Sequence, residues 1–212
     1  MQEQREALSS LVDPGHSALL VVDVQRWFTR ERPEPMFPPV EDVLRRLRGF
    51  IDAARAAGVL VIRIQNVIPD EIYSEVWRRQ FPGTWGSSSP LAPDAWGTAL
   101  CPGFETLPGD LLVTKPRYSA FFGTPLETIL RSRGIRTVLV GGLTTDVCVS
   151  STSRDAFQRE FHVVTLSDCT AEVTQARHES GLATLAANFG LVRSSAEVLD
   201  AWPTSAALTL AP

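Results

Sequence analysis

Residues 137–166, TVLVGGLTTDVCVSSTSRDAFQREFHVVTL, decide the fold class. A short apolar run, Thr137–Val140, ends at the breaker pair Gly141-Gly142. Helical spacing follows over roughly 145–160, with Val149, Ala156 and Phe157 on the inward side. A second apolar run, His162–Leu166, closes the unit. Two short apolar strands joined through a helix make a βαβ crossover, and a crossover of that length joins parallel strands. The same alternation extends upstream. Ala18–Val22 reads as a strand buried on both faces and ending at Asp23. Val40, Val43, Leu44, Leu47, Phe50, Ile51 and Ala54 keep helical spacing up to Gly58. Val59–Ile64 and Leu111–Thr114 read as further strands. Thr124-Pro125-Leu126-Glu127 has the form of a capping box opening a helix that runs to Gly134. Downstream, Leu182, Leu185, Ala186 and Phe189 share a helix face closed by Gly190. A weak strand at Leu191–Arg193 and a short helix from Ser195 complete the chain. Strands and helices in alternation predict an α/β fold: a three-layer α/β/α sandwich around a six-stranded, mostly parallel, doubly wound sheet.

Residues 66–110 interrupt this rhythm. They hold six of the 15 prolines, five glycines and three of the five tryptophans. A connection this long is expected to be a functional loop or lid, with short helical pieces around Ile72–Arg79. The 212 residues are otherwise read as one domain, 1–212.

Composition excludes several function classes. Apolar residues are 44% and charged residues 21%, an ordinary globular balance. The formal charge is −4 and no basic stripe stands out, so nucleic acid is not an expected partner. No apolar run approaches the roughly 20 residues of a membrane span, so no membrane partner is expected. The first 20 residues lack a basic start followed by an apolar block, so no signal peptide is expected. Three cysteines, an odd number spread along the chain, point to reduced thiols and a cytoplasmic protein.

In doubly wound sheets the reactive site lies at the carboxyl ends of the strands. That rule selects Asp23, Gln65 and Asn66, Lys115 and Arg117, the segment Gly141 to Cys148, and Asp168 with Cys169. Cys148 falls in the first turn of a helix, where free N–H groups and the helix dipole favour a thiolate. Position alone leaves two readings open, a nucleophile or a small core residue. Asp23 and Lys115 could likewise be a structural ion pair. A thiol, a carboxylate and an ammonium converging on one sheet edge favour chemistry over three separate accidents. His16, His162 and His178 do not fit a papain-like arrangement and read as surface or structural residues. No His-x-His or Cys-x-x-Cys spacing predicts a zinc site. No G-x-G-x-x-G fingerprint or P-loop predicts nucleotide binding.

Three separated motifs carry a resemblance. LLVVDVQRWF at 19–28, TKPRYSAFFGTPL at 114–126 and GGLTTDVCVSSTSRDAFQREFHVVTLSDCTAE at 141–172 resemble the isochorismatase-like cysteine hydrolases in order and spacing. The resemblance implies a six-stranded parallel α/β/α fold and a catalytic triad of Asp23, Lys115 and Cys148. It also implies a cis peptide between Leu143 and Thr144, with the N–H groups of Thr144 and Cys148 forming an oxyanion hole. Family members that cleave vinyl ethers commonly lack the cysteine, so its presence here points to C–N hydrolysis through a thioester. Nicotinamidases carry an Asp-x-His-x-His metal site after strand two. The corresponding IRIQNVIPDEIYSEV, 62–76, has no histidine, so neither metal nor other cofactor is expected. The motifs are most similar to the ureidoacrylate amidohydrolase branch, with biuret and N-carbamoylsarcosine hydrolases as relatives. The expected partner is therefore a small amide, carbamoyl or ureido substrate. Vinyl ether hydrolysis and a nicotinamidase-like amidase stand as alternatives. Gln25, Asn66 and Tyr118 are candidates to hydrogen-bond a ureido group, and Phe28, Trp77 and Trp85 to wall the pocket. Arg117 either clamps a substrate carboxylate or makes a surface or interface ion pair. By analogy with such relatives the chain is expected to form a homodimer or homotetramer.

Overall fold

Every residue of the first strand, β1 (Ser17–Val22), is buried, which is the signature of a strand covered on both sides. The computed structural model describes residues 8–29 and 35–202; the remainder of the expected 1–212 domain lies outside the described residues. After β1 come a short α1 (Arg26–Thr29), α2 (Val40–Ala56) and β2 (Leu60–Asn66). The long connection then carries α3 (Glu75–Gln80) and single 3-10 turns at Asp70–Ile72, Gly86–Ser88 and Trp96–Thr98. It leads to β3 (Leu111–Lys115), α4 (Leu126–Ser132) and β4 (Thr137–Leu143). A π-helical turn, Thr145–Val149, opens α5 (Ser150–Gln158). The chain continues through β5 (His162–Ala171), α6 (Gln175–Asn188), β6 (Leu191–Arg193) and α7 (Ser195–Ala201). The sheet order is β3-β2-β1-β4-β5-β6, and every neighbouring pair is parallel. The order reverses between β1 and β4, and that switch point positions the site.

Side-chain alternation along β1 builds both cores. Leu19 and Val21 pack with Leu47, Phe50 and Ile51 of α2 and with Val198 and Trp202. Ala18, Leu20 and Val22 face the opposite way, against Leu126 and Leu130 of α4 and against Val149 and Ala156. Full burial of each large aliphatic or aromatic side chain contributes about 1.5–3 kcal/mol. Among the described residues no helix is long and apolar enough to cross a membrane.

The structure corrects several local expectations. Gly141-Gly142 does not end β4, which runs on to Leu143. The glycines are there because two backbones converge. Gly142 has φ +120°, and a Cβ on it would lie 2.0 Å from the carbonyl oxygen of Val22. Thr124 and Glu127 do not form a capping box. The Thr124 hydroxyl accepts from the Leu126 N–H at 3.2 Å, while Glu127 turns to Arg159 and Arg131. The reciprocal box occurs instead at Ser194 and Glu197, at the start of α7. Phe157 is exposed rather than inward and meets the edge of Phe189. Val149 and Ala156 keep the inward face, and Phe157, one residue on and about 100° around the helix, falls on its outer side.

Strand β5 is longer than its apolar run and contains Asp168 and Cys169. Both Asp168 oxygens bond Ser195, one its N–H and the other its hydroxyl, each at 2.7 Å. Asp168 thus fastens the start of α7 and does not orient the site. Strand β2 buries Arg63, whose guanidinium lies 3.6 Å from Asp110 and faces the Phe104 ring; burial lowers its pKa to about 10.

Replacing Gly142 by alanine forces β1 and β4 apart at the switch point. The expected loss is about 3 kcal/mol or more, combining overpacking with a left-handed backbone. Urea denaturation of Gly142→Ala against the parent measures it; an unchanged midpoint contradicts the close approach.

Candidate active site

Strand β1 stops at Val22, and Asp23 takes a left-handed φ of 51°. Its N–H still bonds the Ile64 carbonyl at 3.0 Å, so the backbone stays tied to β2 while the side chain is free to turn under the sheet edge. Lys115 is the last residue of β3 and pairs in register with Asn66. Its long stem reaches past β2, and Nζ lies 2.8 Å from Asp23 Oδ2, both side chains fully buried. Nζ also donates to the Arg117 carbonyl at 2.9 Å. Cys148 arrives from the other side of the switch point, in the π turn after β4. Its thiol lies close enough for both Asp23 and Lys115 to act on its proton. Thus three residues from three separate segments meet at one point.

The charges there depend on one another. Burial raises the pKa of Asp23 despite the opposing field of Lys115. Burial alone would lower Lys115, but the Asp23 charge outweighs it and the ammonium is stabilised. Cys148 is pushed far up, first by burial and then by the Asp23 charge. Dehydration and a neighbouring anion both favour the neutral thiol, against the pull of a helix terminus toward a thiolate. Asp23 and Cys148 cannot readily both be anionic, so the pair holds one proton beside a fixed cation.

A cavity of about 350 Å³ opens above this point. Cys148 lies on its floor with 5% of its surface exposed. Thr144 lines the cavity beside it, and the Leu143–Thr144 peptide is cis. Leu143 itself is buried in a small apolar cluster with Val40, Val43 and Ala171. Aromatic residues make up much of the wall: Trp27, Phe28, Tyr73, Trp77, Phe81 and Tyr118. Trp77 packs on Tyr118 at 5.1 Å and on Phe81 at 5.4 Å. The long 66–110 connection therefore supplies a large share of the cavity wall.

The expected substrate contacts divide. Asn66, Phe28, Tyr118 and Trp77 line the cavity. Asn66 Oδ1 is buried there without a hydrogen-bond partner among the described residues. Gln25 is not available to a substrate. Its amide donates to the carbonyls of Asn66 and Thr98 at 3.0 and 2.9 Å and accepts from the Asn66 N–H at 2.7 Å. It is a strut joining β1, β2 and the long connection. Arg117 is not among the residues lining the cavity and makes no ion pair among the described residues. Its guanidinium donates to the carbonyls of Pro116 and Ile72 at 2.7 and 2.8 Å and covers the Trp77 ring at 4.7 Å. It holds the connection against β3. Trp85 lies outside the cavity, where Arg78 stacks on it at 4.4 Å. His178 is buried and meets the Thr145 hydroxyl at 2.9 Å, bracing the π turn.

Two residues that sequence reasoning passed over stand at this site. Glu172 is buried and accepts the Asp146 N–H at 3.0 Å and the Val173 N–H at 2.9 Å. Arg177, in the first turn of α6, lines the cavity. Both follow the true carboxyl end of β5 at Ala171, so the sheet-edge rule finds them once that strand is given its full length.

Comparison with known proteins agrees with this fold. The isochorismatase domain model matches residues 17–197. A ureidoacrylate amidohydrolase RutB from Enterobacter sp. (strain 638) is 33% identical over 215 residues, covering 89% of this chain and 90% of the relative. The crystal structure of a cysteine hydrolase from Pseudomonas syringae pv. phaseolicola 1448A superposes with a TM-score of 0.80 at 29% identity, covering 90% of this chain and 94% of that one. N-carbamoylsarcosine amidase from Thermoplasma acidophilum follows at a TM-score of 0.69 and 26% identity, covering 84% and 96%. With the parallel sheet, the switch-point site and a domain match over most of its length, the chain belongs to the isochorismatase family of hydrolases.

Proposed function

We propose that the protein is a cysteine-dependent amidohydrolase that cleaves a C–N bond of a small amide, carbamoyl or ureido compound. The observation that carries this reading is the meeting of Cys148, Asp23 and Lys115 on the floor of a substrate-sized cavity. The names of the relatives, an amidohydrolase and an amidase, support it.

The raised pKa values support a first step that starts from a neutral thiol. Cys148 starts as a thiol and Asp23 as a carboxylate paired with Lys115. As sulfur attacks the planar carbonyl, its proton passes to Asp23, and the Lys115 charge, still in place, faces the developing negative charge. Moving the proton inside a pair that always holds one avoids two adjacent anions. The tetrahedral oxyanion would be met by the N–H groups of Thr144 and Cys148, each donor worth about 2.7–4 kcal/mol in comparable sites. Protonated Asp23 then gives its proton to the leaving nitrogen, the C–N bond breaks and ammonia or an amine departs. A thioester remains, or a thiocarbamate where the substrate is a ureide. Asp23 takes a proton from water, hydroxide adds to the carbonyl, and the S–C bond breaks as the thiol regains its proton.

Cys148→Ala should release no ammonia above the blank, and the acid-quenched wild-type reaction should carry an acyl mass on the Cys148 peptide. Full ammonia release by Cys148→Ala refutes covalent catalysis through that thiol. Asp23→Asn keeps the shape but removes the proton acceptor, and should lower kcat by about 10²–10⁴.

The pH dependence has a definite sign. Activity requires Asp23 unprotonated in the free enzyme, so kcat/KM falls as pH drops. Because Asp23 is raised, that acid limb should lie above the usual carboxylate range. Because Lys115 is also raised, no alkaline loss from that ammonium is expected below the usual lysine range. An acid limb at or below pH 4 contradicts the burial argument.

A further inference from the structure

Glu172 is buried, with 1% of its surface exposed, yet it is not among the residues lining the cavity. We propose that it is a positioning residue for the reaction: it holds the π turn so that the N–H groups of Thr144 and Cys148 face the oxyanion. This deepens the amidohydrolase reading and rests on it for the attack by Cys148.

The first N–H groups of a helical turn have no acceptor inside that turn. Asp146 stands midway between Thr144 and Cys148, and its N–H finds an acceptor from another element. Glu172 Oε2 accepts it at 3.0 Å, and Oε1 accepts the Val173 N–H at 2.9 Å. Each carboxylate oxygen thus serves one backbone donor, one in the turn and one beside Glu172 itself. A glutamine has a single acceptor oxygen and would set its NH2 against the other N–H. Burying a carboxylate is costly unless it is hydrogen-bonded. Here both oxygens are used, and one of them holds the turn that carries the nucleophile.

Glu172 is itself anchored. Its N–H donates to the Phe37 carbonyl at 2.8 Å, and its carbonyl accepts the Phe37 N–H at 2.7 Å. The preceding Ala171 pairs with Leu143 across β4 and β5, so the carboxylate and the turn leave adjacent strand ends. Other contacts press on the turn from α6. His178 Nδ1 meets the Thr145 hydroxyl at 2.9 Å, and Arg177 Nε lies 3.3 Å from Asp146 Oδ2 and Nη1 3.6 Å from Glu172 Oε1. A Cβ on Gly181 would lie 3.3 Å from Asp146 Cα, so the helix packs directly on the turn. His178 and Arg177 reach side chains of the turn, whereas Glu172 grips its main chain. The direction of main-chain N–H groups decides where an oxyanion can be met.

Two reagents that attack the same thiol separate this role from general support of the fold. 4-Nitrophenyl acetate acylates Cys148 through a tetrahedral oxyanion: the S–C bond forms, the thiol proton passes to Asp23 and 4-nitrophenolate leaves. Iodoacetamide alkylates the sulfur with loss of iodide and forms no oxyanion. Glu172→Gln should lower the acylation rate about 10- to 100-fold while alkylation stays within about twofold of wild type. Glu172→Asp, which keeps the charge but withdraws the oxygens by one methylene, should lose acylation as well. Alkylation also counts the folded sites, so lost stability is not mistaken for a lost rate. In the wild-type protein, hydrogen exchange resolved to the Asp146 amide should be slow, which tests the bond without any variant. Equal changes in acylation and alkylation, full acylation of Glu172→Asp, or rapid exchange at Asp146 overturns the proposal. Failure of the amidohydrolase reading looks different: wild type then releases no more 4-nitrophenolate than Cys148→Ala.

Discussion

The Lys115–Asp23 ion pair sets the conditions for everything around it. Both side chains are fully buried at 2.8 Å, and neither would be tolerated alone: leaving a buried charge unpaired costs about 3–5 kcal/mol. Their pairing is possible because three strands end at the same level of a parallel sheet. Asp23 leaves β1 through a left-handed residue, Lys115 crosses from β3, and the β4 end delivers Cys148 on a π turn. A hydrophobic isostere of the pair would pack as well. It would not give the thiol an acceptor for its proton or a cation to face while charge moves.

In the proposed mechanism the thiol is kept protonated at rest, and reactivity depends on its proton moving to Asp23. This differs from a cysteine activated by a permanent thiolate. It also explains the need for a dry, walled cavity. Water at the floor would screen the ion pair and weaken the coupling that ties the two proton-holding groups together. The aromatic residues of the long connection, pinned by Arg117 against Trp77 and by Gln25 against Thr98, wall that cavity.

Much of this was legible in the chain itself. The strand–helix alternation and the placing of Asp23, Lys115 and Cys148 at strand ends follow from short apolar runs and the geometry of parallel sheets. What misled was local chemistry read without its neighbours. Gly141-Gly142 reads as a breaker until the Val22 carbonyl is seen against it. The apolar run of β5 ends at Leu166, but the strand continues through polar residues to Ala171 because β4 still pairs with it. That shortfall hid Glu172 and Arg177. Gln25 and Arg117 have the chemistry of substrate ligands, and only the backbone carbonyls around them reveal that their donors are already engaged. The helix-terminus argument for Cys148 left out burial and the adjacent carboxylate, both of which favour the neutral thiol.

The central claim is that Asp23 holds the Cys148 proton in place until substrate arrives. The rate of iodoacetamide alkylation of the Cys148 peptide as a function of pH tests it directly, in wild type and in Asp23→Asn. Removing the carboxylate charge while keeping Lys115 should lower the thiol pKa, so the variant should be alkylated faster than wild type at neutral pH. A wild-type thiol that titrates at or below the range of free cysteine, with no acceleration in Asp23→Asn, would contradict the account.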